Sequence, residues 1–347
     1  MADIAREAQV NRMTVSRALS RPELVAADTL ARINAAIDRM GYVPDQVARG
    51  LRTRSSRIVS LVTPPEMAGV HGALLEQLSG RLLDKGLILN LYPLHDDPLL
   101  QTEILREIAG WRPGAIVLVG VQTNEADRAI LQVSDVPVIE LLGWSDDSPG
   151  VRVGYDQRAA ARMLTAHLLE RGYRRIGYAH SGRVIGQMNR ARLQGVTEAI
   201  EAAGGRVRAH DPDWQAGRGG LDWPDGPVAG CELHCTPTFR AGHALTERLI
   251  RDPARPDAVL FGSDMVAVAA LQVCIAEGLR PRHDIGLCGF DGIALTTVVR
   301  PALTTLDYPY ERVIEHGARC IAACIDTPDD MPGDLLIPVG VVPRDTT

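Results

Sequence analysis

From Ile58 onward, short apolar runs alternate with amphipathic stretches, and the alternation comes in two tandem blocks. IVSLV (58–62), LILNL (87–91), AIVLV (115–119) and VPVIEL (136–141) form the first block, with helical patterns such as 74–85 and 102–111 between them. The second holds an amphipathic stretch (158–171), RIGYAH (175–180), a helical stretch (190–203), AVLFG (258–262), another helical stretch (265–277) and DIGLCGF (284–290). Continuous apolar runs suit strands buried on both faces, and the intervening helices suit right-handed crossovers between parallel strands. The expected body is α/β, with two doubly wound lobes. A ligand in such a body sits in a crevice at the carboxyl ends of the strands. The stretch 211–237 interrupts the rhythm. It is rich in Gly, Pro and Asp, carries Trp214 and Trp223, and reads as a long surface loop with little structure of its own.

The first 57 residues follow a different pattern. Helical spacing predicts segments over 2–8, 12–19 and 26–40, the last stopped by Gly41 as a C′ glycine, and a further short helix over 45–51 after Pro44. RTRSSR (52–57) reads as a polar linker. In VNRMTVSRAL, Asn11 can cap a helix that displays Arg12, Met13, Thr14, Ser16 and Arg17. Val15, Ala18 and Leu19 stand at i, i+3 and i+4 and can pack inward. Residues 1–57 contain ten Arg against six Asp or Glu, whereas the whole chain has a net charge of −6. A small basic head on an acidic body points to a polyanion as partner for the head alone.

Several function classes are disfavoured. No apolar run reaches the roughly 18–20 residues that span a bilayer, and no secretory pattern opens the chain. Six cysteines in 347 residues do not resemble a disulfide framework, which suits a reducing cytoplasm. CELHC (231–235) has no second ligand pair at a zinc-site spacing, so no metal is expected. GSDM and SGRVIG lack phosphate-loop spacing, no nucleophile elbow is present, and neither catalysis nor a cofactor is expected.

DIAREAQVNRMTVSRAL, followed by MGYVPDQVARGLRTRSS, resembles the head of the lactose-repressor (LacI/GalR) family of bacterial transcription regulators. ERGYRRIGYAHSG, RARLQGVTEAIEAAG, RPDAVLFGSDMVAVAAL and IGLCGFDGIALTTVVRPALTTLDYP stand where that family has its body motifs, in the same order. RMTVSRALSRPELV and PVIEL look most like the gluconate-repressor subgroup. The resemblance covers nearly the whole chain. It implies a helix-turn-helix head (1–44), a hinge helix and linker (45–57), and a two-lobed body like a periplasmic binding protein (58–347). It places lobe 1 at about 58–153 and 284–308, and lobe 2 at about 154–283 and 309–347.

By that resemblance Arg12, Met13 and Arg17 face base edges in the major groove. Thr14 and Ser16 suit phosphate oxygens. Leu51 matches a minor-groove wedge flanked by Arg49 and Arg52, and Gly50 there weakens the hinge helix in the absence of DNA. Family positions for the effector map onto His71, Asp156, Arg192, Ser263 and Asp291. Glu140 at the end of PVIEL and Arg190 are further candidates from their placement. The family's usual first-helix Thr cap is missing, the chain starting about three residues later than is usual. Gln9 occupies a turn position that favours Gly or Asn. The implied protein is a cytoplasmic homodimeric repressor that binds operator DNA and is released by a sugar or sugar acid such as gluconate. A co-repressed or activating regulator on the same fold is the alternative. A periplasmic-type sugar-binding protein or a sugar-processing enzyme would lack the head or need a catalytic constellation.

Overall fold

The computed structural model describes residues 1–42, 56–64, 72–94, 97–121, 123–144, 148–180 and 186–347. The predicted helix at 45–51, with Arg49, Leu51 and Arg52, lies outside the described residues, as does His71. The chain divides into two compact units, Met1–Ser56 and Arg57–Thr347.

In the first unit, α1 (Ala2–Glu7), α2 (Arg12–Ser20) and α3 (Ala27–Met40) lie within a residue or so of their expected bounds. Met1 precedes α1 and makes no side-chain cap. Asn11 caps α2, its Oδ1 accepting from the Thr14 amide at 2.7 Å. Gly41 ends α3 in the left-handed region (φ 58°), and the Tyr42 amide donates back to the Ile37 carbonyl at 3.1 Å. Ile4, Ala5, Ala8, Val15, Ala18, Ile33 and Ala36 form the core, with Leu19, Leu30 and Ile37 packed against it. Met40, at the end of α3, is exposed.

The second unit is built on two parallel sheets. The first contains β1 (Ile58–Thr63), β2 (Ile88–Pro93), β3 (Ala115–Val119), β4 (Val138–Leu141), β5 (Val151–Gly154) and β12 (Leu335–Leu336), in the order β12-β5-β4-β3-β1-β2. It is flanked by α4 (Gly72–Leu83), α5 (Pro98–Gly110) and α6 (Glu125–Ser134). The second contains β6 (Arg175–His180), β7 (Arg206–Arg208), β8 (Ala229–His234), β9 (Ala258–Phe261) and β10 (Gly286–Cys288), in the order β10-β9-β6-β8-β7. Its helices include α7 (Gln157–Glu170), α8 (Gly186–Ala202), the short α9 (Pro212–Gln215), α10 (Phe239–Arg251) and α11 (Asp264–Ala276). After the short α12 (Leu295–Val298), β11 (Thr305–Asp307) pairs antiparallel with β13 (Gly340–Val342), and α13 (Tyr310–Asp326) lies between them in the chain.

Two expectations are corrected. The lobe assignment of the C-terminal segments is reversed. β10, within 284–308, pairs with β9 in the second sheet. α13 packs on β4 and β5, and β12 pairs with β5 in the first sheet. The chain then returns to the second lobe, where the Thr346 carbonyl accepts from the Leu287 amide at 3.0 Å. Hydrophobic periodicity identifies strands but not their partners, so a late crossing between lobes leaves no local signal. The stretch 211–237 is also not a plain loop. It holds α9 and the interior strand β8, and Trp214 is buried with its Nε1 donating to Asp252 Oδ2 at 2.8 Å. The Gly- and Pro-rich flanks of β8 hid a strand whose alternate residues are polar.

The six cysteines are free and buried. Among the described residues, no helix is long and apolar enough to cross a membrane.

Candidate functional site

In the second sheet the strand order reverses direction between β6 and β9, and ligands of doubly wound sheets bind beside the carboxyl ends of strands at such a point. Arg192, on the first half of α8, extends to this place. It is 4 % exposed. Its Nη1 donates to the Gly262 carbonyl, just beyond β9, at 2.8 Å, and its Nε donates to Gln157 Oε1 at 2.7 Å. Gln157 in turn donates from Nε2 to the Leu142 carbonyl at 2.8 Å, which links the second lobe to the end of β4 in the first. A side chain at position 195 would meet the Arg158 carbonyl at 2.1 Å, so Gly195 is what lets α8 approach α7 closely enough to place Arg192.

Leu142, Tyr155, Gln157, Met188, Arg192, Asp291, Tyr308 and Tyr310 line a pocket of about 210 Å³, open solvent at its mouth included. Tyr155 and Tyr308 meet edge-on with centroids 4.8 Å apart, and Tyr310 meets Tyr308 at 4.5 Å. The Tyr310 hydroxyl donates to the Asp291 carbonyl at 2.6 Å. Burial pushes the phenols of Tyr155, Tyr308 and Tyr310 up, so all three stay neutral and can both donate and accept. Apolar ring faces, neutral hydroxyls, one cation and one carboxylate together suit a small polyhydroxylated molecule.

Behind the pocket, Asp264 joins three segments. Its Oδ1 accepts from the Phe290 amide and the Thr305 hydroxyl, each at 2.7 Å, and its Oδ2 from the Ile293 amide at 2.9 Å. The Asp264 amide donates to Asp291 Oδ2 at 3.0 Å, which orients that carboxylate. Burial, and then the neighbouring Asp291, hold the Asp264 carboxyl above the ordinary carboxylate range.

Of the ligand residues expected from sequence, Arg192 and Asp291 come together in this pocket. Asp156 is exposed and caps α7, its Oδ1 accepting from the Ala159 amide at 2.9 Å. Ser263 is buried at the start of α11, and its hydroxyl has no hydrogen-bond partner among the described residues. Glu140 is half-buried in β4, and Arg190 is exposed on α8. Neither is among the lining residues. Tyr155, Gln157, Met188, Tyr308 and Tyr310 were missed. Their sequence signal was slight: aromatic residues in VGYDQ and LDYPY, directly after strands that end at the cleft.

On the head, Arg12, Met13 (71 % exposed) and Arg17 lie on the outer face of α2, while Thr14 and Ser16 are half-buried beside them. The Thr14 hydroxyl also donates to Asn11 Oδ1 at 2.9 Å, within the cap.

Comparison with known proteins adds to this geometry. Residues 1–45 match the model for bacterial regulatory proteins of the lacI family, and residues 165–347, more than half of the chain, match the periplasmic binding protein-like domain. The chain belongs to the lacI family of bacterial regulatory proteins. Members of this family are DNA-binding transcriptional regulators rather than enzymes. The HTH-type transcriptional regulator GntR of Escherichia coli (strain K12) is 25% identical over 325 residues, 94% of this chain and 91% of that protein. The HTH-type transcriptional repressor PurR of Aliivibrio salmonicida is 24% identical over 316 residues, 90% of this chain and 87% of that protein. The ribose operon repressor of Escherichia coli (strain K12) is 25% identical, covering 91% and 89%. At 24–25% identity these lacI-family relatives are equally similar and single out no subgroup. Among solved structures, a LacI-family transcriptional regulator from Silicibacter pomeroyi superposes with a TM-score of 0.83 at 24% identity, covering 99% of this chain and 98% of that one. The Lac repressor dimer bound to operator and the anti-inducer ONPF superposes with a TM-score of 0.79 at 19% identity, covering 99% and 97%. Both share the fold: a helix-turn-helix head and a two-lobed parallel α/β body.

Proposed function

We propose that the chain is a homodimeric, cytoplasmic transcriptional repressor that leaves a pseudo-palindromic operator when a sugar acid, of which gluconate is the type, binds the cleft. Burial of Arg192 carries the choice of an acid. The guanidinium is 4 % exposed, and no carboxylate lies within 4.0 Å of it among the described residues. Its partners are an amide oxygen, a carbonyl, a phenol, a thioether and an aromatic face. A buried charge with no carboxylate in direct contact is costly, and a ligand carboxylate relieves that cost with a bidentate pair. Asp291 and the three phenols then take the hydroxyls of the same ligand.

Arg12, Met13 and Arg17 read base edges, Thr14 and Ser16 position the helix on phosphates, and the segment with Arg49, Leu51 and Arg52 supplies the minor-groove element. Protein two-fold symmetry matches operator symmetry, one half-site per head. Release requires the ligand to bind one arrangement of the lobes more tightly than the other.

A thermal-shift screen pairing sugar acids with the corresponding neutral sugars tests this reading. A ligand at about 100 times its Kd adds about 2.7 kcal/mol to apparent stability. The acid raises Tm and displaces the protein from operator DNA, and the neutral sugar does neither. A neutral sugar that raises Tm while every acid fails removes the Arg192–carboxylate pairing.

A further inference from the structure

The second sheet carries a group of side chains that the effector reading leaves unused. Along β8, Cys231 and Leu233, with Cys235 just beyond, join the core around Trp214 and Leu245, while Glu232 and His234 alternate onto the other face. β6 runs parallel to β8, in a register that sets His180 beside His234 and Tyr178 beside Glu232. One ligand atom from each of His180, Glu232 and His234 lies within 4.8 Å of the other two. Oε1 stands 2.9 Å from the His180 nitrogen and 3.1 Å from that of His234.

The surroundings hold these atoms in place. Glu232 Oε2 accepts from the His210 amide at 3.2 Å, which turns Oε1 towards the two imidazoles. The His210 ring stacks on His234 with centroids 3.6 Å apart and planes at 11°. Tyr178 stacks on His180, which is 6 % exposed. Outer contacts of this kind orient ligands around metal ions. Two buried imidazole nitrogens, Nδ1 of His180 and of His210, have no hydrogen-bond partner among the described residues. For His180 this is the ring nitrogen opposite the one that meets Glu232, so a buried water, not the ion, is its natural partner.

We propose that His180, Glu232 and His234 form a site for a divalent first-row transition metal of the zinc class, with a fourth position open to water. Two imidazoles and one carboxylate are an established zinc donor set. At bond lengths of about 2.0–2.2 Å, neighbouring tetrahedral ligand atoms stand about 3.3 Å apart. Both Glu232 contacts are within a few tenths of an ångström of that spacing, and the two imidazoles, within 4.8 Å of each other, have to close on the ion. Cys231 and Cys235 do not take part. They lie on the opposite face of the strand, in the core around Trp214. CELHC thus contributes its middle glutamate and its histidine, and the third ligand comes from a strand about fifty residues earlier. This proposal does not depend on the effector reading, because metal binding is measured without effector or operator.

Untagged full-length protein, stripped with chelator, is titrated with Co²⁺ and Zn²⁺. Calorimetry gives the stoichiometry, and the visible bands of four-coordinate cobalt give the geometry. One ion per chain binds at micromolar affinity or tighter, and His234→Ala and Glu232→Gln each weaken it at least tenfold. His234 is 34% exposed, so its truncation spares the core should Glu232→Gln fail to fold. His243→Ala, which removes the surface pair with Glu247, leaves binding unchanged. Absence of stoichiometric binding by folded protein, or binding undiminished by His234→Ala, overturns the proposal.

Discussion

The guanidinium carbon of Arg192 lies 3.8 Å over the ring of Phe290. This contact joins α8 to the turn after β10. The Phe290 amide is itself held by Asp264, which also anchors Thr305 at the start of β11. The cation that lines the pocket therefore sits on an aromatic ring fixed by a buried carboxylate, and that carboxylate also holds a strand leading to the first lobe. A cation–π contact of this kind adds about 2 kcal/mol or more when desolvated.

Arg192→Lys tests whether the fork or only the charge matters. Lysine keeps the charge but loses the planar stack and the two-point donation. Effector affinity is expected to fall by about 1.5–3 kcal/mol, the worth of one hydrogen bond to a charged group. Operator affinity without effector stays within about twofold of wild type, well under the tenfold that 1.4 kcal/mol represents. Calorimetry and fluorescence anisotropy measure the two quantities separately.

Arg17→Ala tests base reading. An Arg–guanine pair carries about 1–3 kcal/mol of discrimination, so the preference for operator over scrambled DNA is expected to drop by that amount. Effector affinity should be unaltered. Equal selectivity of mutant and wild type in competition gel shifts would remove Arg17 from the reading helix.

Stability of the body depends on pH through Asp264. Its carboxyl is raised in the folded protein, chiefly by burial, above the 3.8 of an ordinary aspartate, so the folded state binds a proton that the unfolded state has already lost. This favourable contribution is complete below about pH 4 and disappears as the pH rises through the raised value. Urea unfolding from pH 4.5 to 8 should show stability falling with pH. Asp264→Asn, which cannot ionise, should flatten that part of the curve.

Gln9 holds φ at 52° in the turn between α1 and α2. A left-handed conformation costs a non-glycine residue about 1–2 kcal/mol. Gln9→Gly is therefore expected to stabilise the head by about 1 kcal/mol, partly offset by the greater freedom of the unfolded chain. Amide exchange of Ile33 and Ala36, at the centre of the head's core, measures the gain.

The limits of sequence reading are physical. AIVLV and RIGYAH match β3 and β6 residue for residue, because strands buried on both faces have apolar runs as long as themselves. Arg192 and Asp291 were legible because each stands in a stretch, RARLQG and GFDG, that resembles a family motif. Tyr155 and Tyr308 were not, since they are 153 residues apart in sequence and meet only after the chain has crossed between lobes and back. His180 and His234 show the same limit more sharply. Each is an isolated histidine until β6 and β8 pair, and nothing local in either strand announces the other.

The pocket's walls come largely from places where the chain passes between lobes. Tyr155 and Gln157 follow β5, and Tyr308 and Tyr310 follow β11. A molecule seated there is gripped by the articulation itself, not by one lobe and then the other. On the proposed reading, side chains altered for a different ligand would also alter the segments that connect the lobes. Where the pocket takes the effector, selectivity and responsiveness are therefore expected to change together.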